Sequence, residues 1–428
     1  VASPFMAFSQ EILSLEDAIR IGLENSFSIQ IARNNIEIAK NNNTLGNAGL
    51  LPRIDLNINQ SNNFQNWYRE DSDGTTLSNS GYPTYSLTSG LQLNWTLFDG
   101  FAMFIRREKL ELLQAQSDLY LRIELENKIA DIVYTYFSIA LNAKLYKTYN
   151  QQLALSRQRL DIAREKSKIG VGYQLQELQA EVDFRADSAL LLRQRNRVAN
   201  LKADLNRFLV RSPEIDFQVN TEIPVPKQVN TADIYSKVSS QNIAILNARL
   251  LTQIGELEYG EAKSSRYPDV NLFSAYNFSH TGTPESQQVV KYRTHGPTVG
   301  VGASITLFNG FDASRRIRNA QIVAENIKLN LEDIQARLQN AAFKLVNELN
   351  QALELVLVEE KSVVLAQRNA DAAWERYNLG AISDLELRES QNKLLDAQSR
   401  LISAQLNAQI AEIEILTITG EMGSFLGK

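Results

Sequence analysis

Residues 95–101 read WTLFDGF, and residues 305–311 read ITLFNGF. A phrase written twice in one chain is either a functional motif or one visible patch of a larger duplication, and the spacing around it distinguishes the two. Gly100 to Gly170 is 70 positions, and Gly310 to Gly380 is also 70. Upstream, Leu51-Pro52-Arg53-Ile54-Asp55-Leu56 parallels Tyr267-Pro268-Asp269-Val270-Asn271-Leu272. From that Pro to the Gly is 48 positions in the first copy and 42 in the second, as expected if a loop of unequal length lies between. The chain is therefore read as one unit written twice, over 10–210 and 231–428, with a Pro-containing connector at 211–230.

Each unit has four parts. The first is a helix, about 15–48 and 231–264, which Pro52 and Pro268 terminate. Ser14 reads as its N-cap, with Asp17 three residues on in an acidic variant of the capping box. The second part is a pair of strands, at about 54–64 and 85–97, and again at about 270–279 and 298–307. Ile54, Leu56 and Ile58 alternate with Asp55, Asn57 and Asn59, and Leu91, Leu93 and Trp95 with Gln92, Asn94 and Thr96, which is the period of two of a strand. The polar segments between the strands read as loops. The third part is a helix over about 101–169 and 312–379, free of Pro and Gly; at ~1.5 Å per residue it is on the order of 100 Å long. The fourth is a helix over 174–208 and 383–419. Parts one and four are each about half of part three, so two half-helices stacked end to end would match one long helix. The chain must then reverse at Gly170/Gly172 and at Gly380.

Composition narrows the function. The chain of 428 residues has no cysteine, so disulfides, thiolate metal sites and cysteine nucleophiles are out. Its net charge of −5 leaves no excess of cations for nucleic acid. The two histidines, His280 and His295, sit among Gly, Pro, Thr and Ser and read as ordinary loop residues. No HExxH, GxSxG, P-loop or dinucleotide fingerprint occurs, so no enzyme and no cofactor is expected. No apolar run is long enough for a transmembrane helix. Residues 1–9 end in Ala7-Phe8-Ser9, a small-x-small sequence, and read as the remnant of a secretory signal.

The helix faces keep a 3-4 spacing of mostly apolar residues, as in Leu387, Ser390, Leu394, Ala397, Leu401, Ala404, Ala408 and Ala411, and again in Ala324, Ile327, Leu331, Ile334 and Leu338. These are heptad seams for close helix packing. The strands, apolar on one face and Asn/Thr/Ser/Gln on the other, suit a barrel with lipid outside and water inside, or equally a soluble sheet with one wet face. Four strands cannot close a barrel, and open edges do not occur in lipid. If the strands span a membrane, several copies must each lend four.

Taken together, SLEDAIRIGLENSFSI, LLPRIDL, the twin TLFDGF and TLFNGF, and YNLGAISDLELRESQNKLLDAQSRLISAQ resemble the TolC family of outer-membrane efflux proteins, from Leu15 to Gly420. The resemblance implies an α+β membrane fold: a homotrimer in which four strands per chain make a twelve-stranded β-barrel, continued by a long periplasmic α-helical barrel. The connector at 211–230 would lie in its equatorial region. It implies a passive exit duct across the outer membrane, set in outer-membrane lipid. A periplasmic adaptor and an inner-membrane pump of the RND type would couple to it; protein secretion or metal-ion efflux is the alternative role.

The same resemblance implies site residues. An acidic ring narrows the periplasmic tip shortly after the YxxG of the second repeat, here Tyr377 to Gly380, which places it at Glu386 and Glu389. The first-repeat counterpart is Gln176, and Ile382 stands where some relatives carry an Arg that ties the closed tip. Gly170, Val171, Gly172, Tyr173, Gly380, Ala381 and Ser383 become the adaptor-facing turns. Trp95, Phe98, Gly100, Phe101, Phe308, Gly310 and Phe311 become the strand-to-helix joints and the aromatic belt, with Thr-Leu-Phe ending the second strand of each hairpin.

Overall fold

A computed structural model describes residues 12–170, 173–222, 224–283 and 291–427. The signal remnant expected at 1–9, and Val171 and Gly172, lie outside the described residues. In chain order the elements are β1 (Ile12–Leu13), α1 (Leu15–Asn25), α2 (Phe27–Asn42), β2 (Arg53–Glu70), β3 (Thr76–Asp99), α3 (Ala102–Lys168), α4 (Gln174–Phe208) and β4 (Gln218–Val219). Then follow α5 (Thr231–Gln241), α6 (Ile243–Ser264), β5 (Asp269–Gly282), β6 (Lys291–Ser304), α7 (Asp312–Asn378), α8 (Asp384–Thr419) and a 3-10 turn (Met422–Gly427). The chain divides into two compact units, one of 1–34, 118–248 and 331–428, the other of 35–117 and 249–330.

The first unit is helical, apart from the short parallel pair of β1 and β4. One of its cores gathers Ile19, Ile132, Val133, Phe137, Leu205, Leu209 and Phe217. A second gathers Val238, Ile245, Val346, Leu349, Ala408, Ala411 and Ile415, with Leu331, Ile334 and Leu338 packed against it. The seams read from the 3-4 spacing are therefore interior stripes, and their alanines let the helix backbones approach closely. Ser14 caps α1 by accepting from the Asp17 amide at 3.1 Å, as its sequence position suggests. The two leading helices are not continuous over 15–48 and 231–264, however. Each breaks once, at Ser26 and at Asn242, both buried. Asn242 donates to the Ile418 carbonyl at 2.8 Å and accepts from the Ile245 amide at 3.1 Å. One short polar side chain thus fastens α8 and caps α6, which the amphipathic pattern of the helix does not reveal.

The second unit holds an antiparallel sheet in the order β2-β3-β5-β6 with helical segments leading into and out of it. Register alternates the two sets of side chains cleanly. Ile54, Leu93, Ser274 and Val299 lie in one row across the four strands, and Leu56, Leu91, Tyr276 and Pro297 in the next on that face. The other face carries Asp55, Gln92, Ala275 and Thr298. Among the described residues no core covers the apolar face: Val299, for example, is 71% exposed.

Two strand expectations need correction. The first hairpin does not stop near 64 and resume near 85; the ladder continues through Glu70 and Thr76 and turns at Asp71–Thr75, where the Asp71 amide meets the Thr75 carbonyl at 2.9 Å. Ladder bonds are made by the backbone, so a polar run can extend a hairpin as well as an apolar one. The last strand is 291–304 and not 298–307, so Thr306-Leu307-Phe308 does not end a strand. Thr96-Leu97-Phe98 does, because β3 is central and β5 still runs opposite it down to Asp269. The same Asp269 pairs with Ser304 of edge strand β6, and among the described residues β6 has no partner beyond it.

Candidate functional site

Two kinds of place were singled out by the sequence: the turns between long and short helices, and the joints between sheet and helix. At the second helix turn, α7 ends at Asn378 and the chain reverses through Leu379 and Gly380, with the Ala381 amide bonded back to the Arg376 carbonyl at 2.8 Å. Ser383 then starts α8. Its hydroxyl accepts from the Glu386 amide at 3.3 Å while the Glu386 carboxylate accepts from the Ser383 amide at 2.8 Å, a complete capping box. Glu386 is exposed but its carboxylate is turned to its own helix start. Glu389, one turn on, is also exposed and pairs with Lys393 at 2.7 Å, which holds its carboxyl below the usual range. At the first turn, Gly170, Tyr173 and Gln176 are exposed. Among the described residues no hydrogen bond or ion pair joins Glu386 or Glu389 to Tyr377 or Gln176.

Tyr377 is instead buried against Ala373 and Leu387. It lies beside Asp384, and burial, followed by that carboxylate, raises its pKa. Asp384 belongs to a charged cluster that sequence reasoning missed. Arg159 on α3, with 0% of its side chain exposed, bonds Asp183 on α4 and stands 3.0 Å from Asp384 on α8. Arg388 on α8 holds Asp187 on α4 with two bonds, at 2.7 and 2.8 Å, and donates to Ser156 on α3 at 3.2 Å. Two guanidinium groups thus face three carboxylates, with Lys166 on α3 adding a weaker positive field at Asp384. Burial pushes the Asp384 carboxyl up, with Arg159 opposing and Asp183 adding to the shift. The cluster had a legible signal: Ala180, Asp187 and Gln194 follow at intervals of seven, so an acid and an amide sit on an interior heptad track.

At the first joint, Asp99 accepts from the Met103 amide at 2.9 Å and so caps α3; it also bonds Arg106, which stands 3.3 Å from Glu261. At the second, Asn309 accepts from the Ala313 amide at 3.4 Å and caps α7. Gly100 and Phe101 both adopt left-handed angles, φ 66° and 72°, and Gly310 and Phe311 repeat them at 66° and 66°. Phe98 meets Phe101 edge-on at 5.0 Å, and Phe308 meets Phe311 at 5.5 Å. Trp95 donates to the Leu50 carbonyl at 3.0 Å. His280 and His295 lie on β5 and β6 and not in a loop; His280 accepts from Arg293 at 3.2 Å. Among the described residues no group of three metal-ligating side chains occurs, and no helix is long and apolar enough to cross a membrane.

The profile described as "Outer membrane efflux protein" matches residues 18–209 and again 234–421. The chain is 20% identical over 414 residues to the outer membrane efflux protein BepC of Brucella suis biovar 1, covering 96% of this chain and 86% of that protein. It is 22% identical over 431 residues to the alkaline protease secretion protein AprF of Pseudomonas aeruginosa, covering 97% of this chain and 84% of that protein. Its fold is similar to the crystal structure of the outer membrane protein VceC from Vibrio cholerae, with a TM-score of 0.76 at 15% identity, covering 95% of this chain and 96% of that one.

Proposed function

This chain belongs to the outer membrane efflux protein family, and on that premise we propose that it serves as the outer-membrane exit duct of a tripartite efflux system. Three copies lend four strands each to one barrel in the outer membrane, and their helices continue into the periplasm. The duct works with a periplasmic adaptor and an inner-membrane pump; the pump, of the RND type, supplies the energy, and the duct conducts drugs or other small molecules passively. One observation carries the reading: a four-stranded sheet with an uncovered apolar face and two unpaired edges, joined to two helices of 67 residues each. Neither the face nor the edges suit water, and lipid with closure by further copies satisfies both.

The helix turns are the adaptor-facing end, through Gly170, Val171, Gly172, Tyr173, Gly380, Ala381 and Ser383. Glu386 and Glu389 line the mouth, with Tyr377 and Gln176 beside it. Three copies supply six carboxylates, three of them paired with Lys393, so the field that favours cations comes chiefly from Glu386. The capping box dictates how this is tested. Replacing Glu386 by Ala would remove cap and charge together, whereas Glu386→Gln with Glu389→Gln keeps an acceptor at the cap and removes both charges, at the loss of the Lys393 ion pair. In planar bilayers the paired Gln variant should lose cation selectivity and block by multivalent cations; unchanged selectivity would refute the ring. The likeness to AprF supports a second reading, export of a protein. Deletion of the gene tells the two apart: raised sensitivity to toxic compounds supports small-molecule efflux, and loss of a secreted protein alone supports the other.

A further inference from the structure

A second, unassigned site lies in the sheet-containing unit, where α6 meets the start of α7. A cavity of about 580 Å³ opens there, lined by Tyr259, Lys263, Arg266 and Tyr267 from α6 and its exit, and by Arg318 and Glu325 among others from α7. The lining holds three cations against one carboxylate. Lys263 sits over the Tyr259 ring at 3.8 Å. Among the described residues, neither Arg266 nor Arg318 has an ion pair or a side-chain hydrogen bond. Glu325 contributes to the field on Lys328. The lining charge is thus largely uncompensated, in contrast to the neighbouring Arg315 and Arg316, which both pair with Asp312 at 2.6 Å.

The cavity's position says which anion it suits. Phe98 pairs with Val270 on the sheet face that carries Trp95 and Leu272. From Phe98 a chain of ring contacts runs to Phe101 at 5.0 Å and on to Tyr267 at 6.1 Å. Tyr267, at the rim of the cavity, therefore continues the apolar face of the sheet. In an outer-membrane barrel that face meets lipid tails, and the aromatic residues at its edge sit at headgroup level. Cations with apolar stems and tyrosines grouped just below such a belt are the chemistry of a phosphate-bearing headgroup. We propose that this cavity binds the phosphate of an anionic phospholipid of the periplasmic leaflet, clamped by Arg266 and Arg318, with Lys263 completing the charge and Tyr267 marking the border with the acyl chains. The site depends on outer-membrane placement alone and not on what the duct carries.

The test uses the purified full chain in detergent, titrated with dioleoylphosphatidylglycerol and followed by native mass spectrometry. Arg266→Gln combined with Arg318→Gln should weaken lipid retention by on the order of thirtyfold. Arg315→Gln, which lies outside the cavity, should leave it unchanged. Equal retention by the double variant and the unmodified chain overturns the proposal, as does equal loss in Arg315→Gln. Displacement of the lipid by millimolar sodium phosphate overturns the lipid source in favour of a free anion. If the double variant fails to assemble, Lys263→Gln alone must still lower retention, or the site is wrong.

Discussion

At the scale of single residues, the buried charges between α3, α4 and α8 matter more than the exposed glutamates. Asp187 is 2% exposed and depends on Arg388 for its main partner. Removing one member of such a pair leaves an uncompensated charge, which costs about 3–5 kcal/mol. Arg388→Met should therefore lower the stability of the helix ends by about that amount, read as faster amide exchange in 384–391. Asp384 adds a pH dependence. It faces Arg159 and Lys166 on α3, Asp183 on α4 and Tyr377 on α7, and burial lifts its folded pKa above the ordinary value of 3.8. Between those two values the folded chain holds a proton that the unfolded chain has released. Stability is consequently lost as pH rises from 3.8 through the folded value, and regained on acidification. Protection of 377–391 should fall as pH rises above about 4, and Asp384→Asn should flatten the fall. A slope that persists in Asp384→Asn would assign the effect elsewhere.

At the scale of elements, the two joints have the same backbone but different surroundings. Gly100 and Gly310 share φ 66°. A Cβ at Gly310 would meet nothing within 4 Å, so Gly310→Ala carries the conformational penalty alone, about 1–2 kcal/mol. A Cβ at Gly100 would lie 2.4 Å from the Ser264 carbonyl oxygen, which cannot move without α6. Gly100→Ala should therefore destabilise clearly more than Gly310→Ala in thermal unfolding of the purified protein. Equal effects would mean that the tight approach at Gly100 relaxes freely. The phrase shared by the two joints is thus a local solution to one problem, turning a strand into a capped helix. The acid or amide before each Gly caps the helix, and the Gly-Phe pair makes the left-handed turn.

At the scale of the whole molecule, the sheet's two unpaired edges, β2 and β6, determine the assembly. Paired edges in lipid require closure, and one chain offers strands at opposite ends of a four-stranded sheet. A bond between β2 and β6 can then form only between copies. Because the chain has no cysteine, the test has no background. Asp55→Cys combined with Cys substitutions scanned along the Thr298 face of β6 should yield covalent trimers on oxidation in the membrane. Monomers at every position would exclude edge-to-edge closure.

Much of this was readable in the residues alone. The period of two in 54–58 and 91–96, the 3-4 seams of the long helices, and the Gly–Gly intervals of 70 positions prescribe strands, helices and their order. The periods are local properties, each dependent on neighbours a few residues away and on which face meets water, and the equal Gly intervals need only a comparison of the chain with itself. Resemblance supplied the trimer. Other features depend on groups far apart in the chain. Asn242 breaks a helix because it caps one segment and holds Ile418, 176 residues on. The last strand ends at Ser304 because its partner ends at Asp269. Arg159, Asp183 and Asp384 form a cluster because three helices converge, although each residue taken singly reads as a solvated charge. Periodicity announces which side of an element is buried; only packing assigns the partner, and a buried charge or a strand end is defined by its partner.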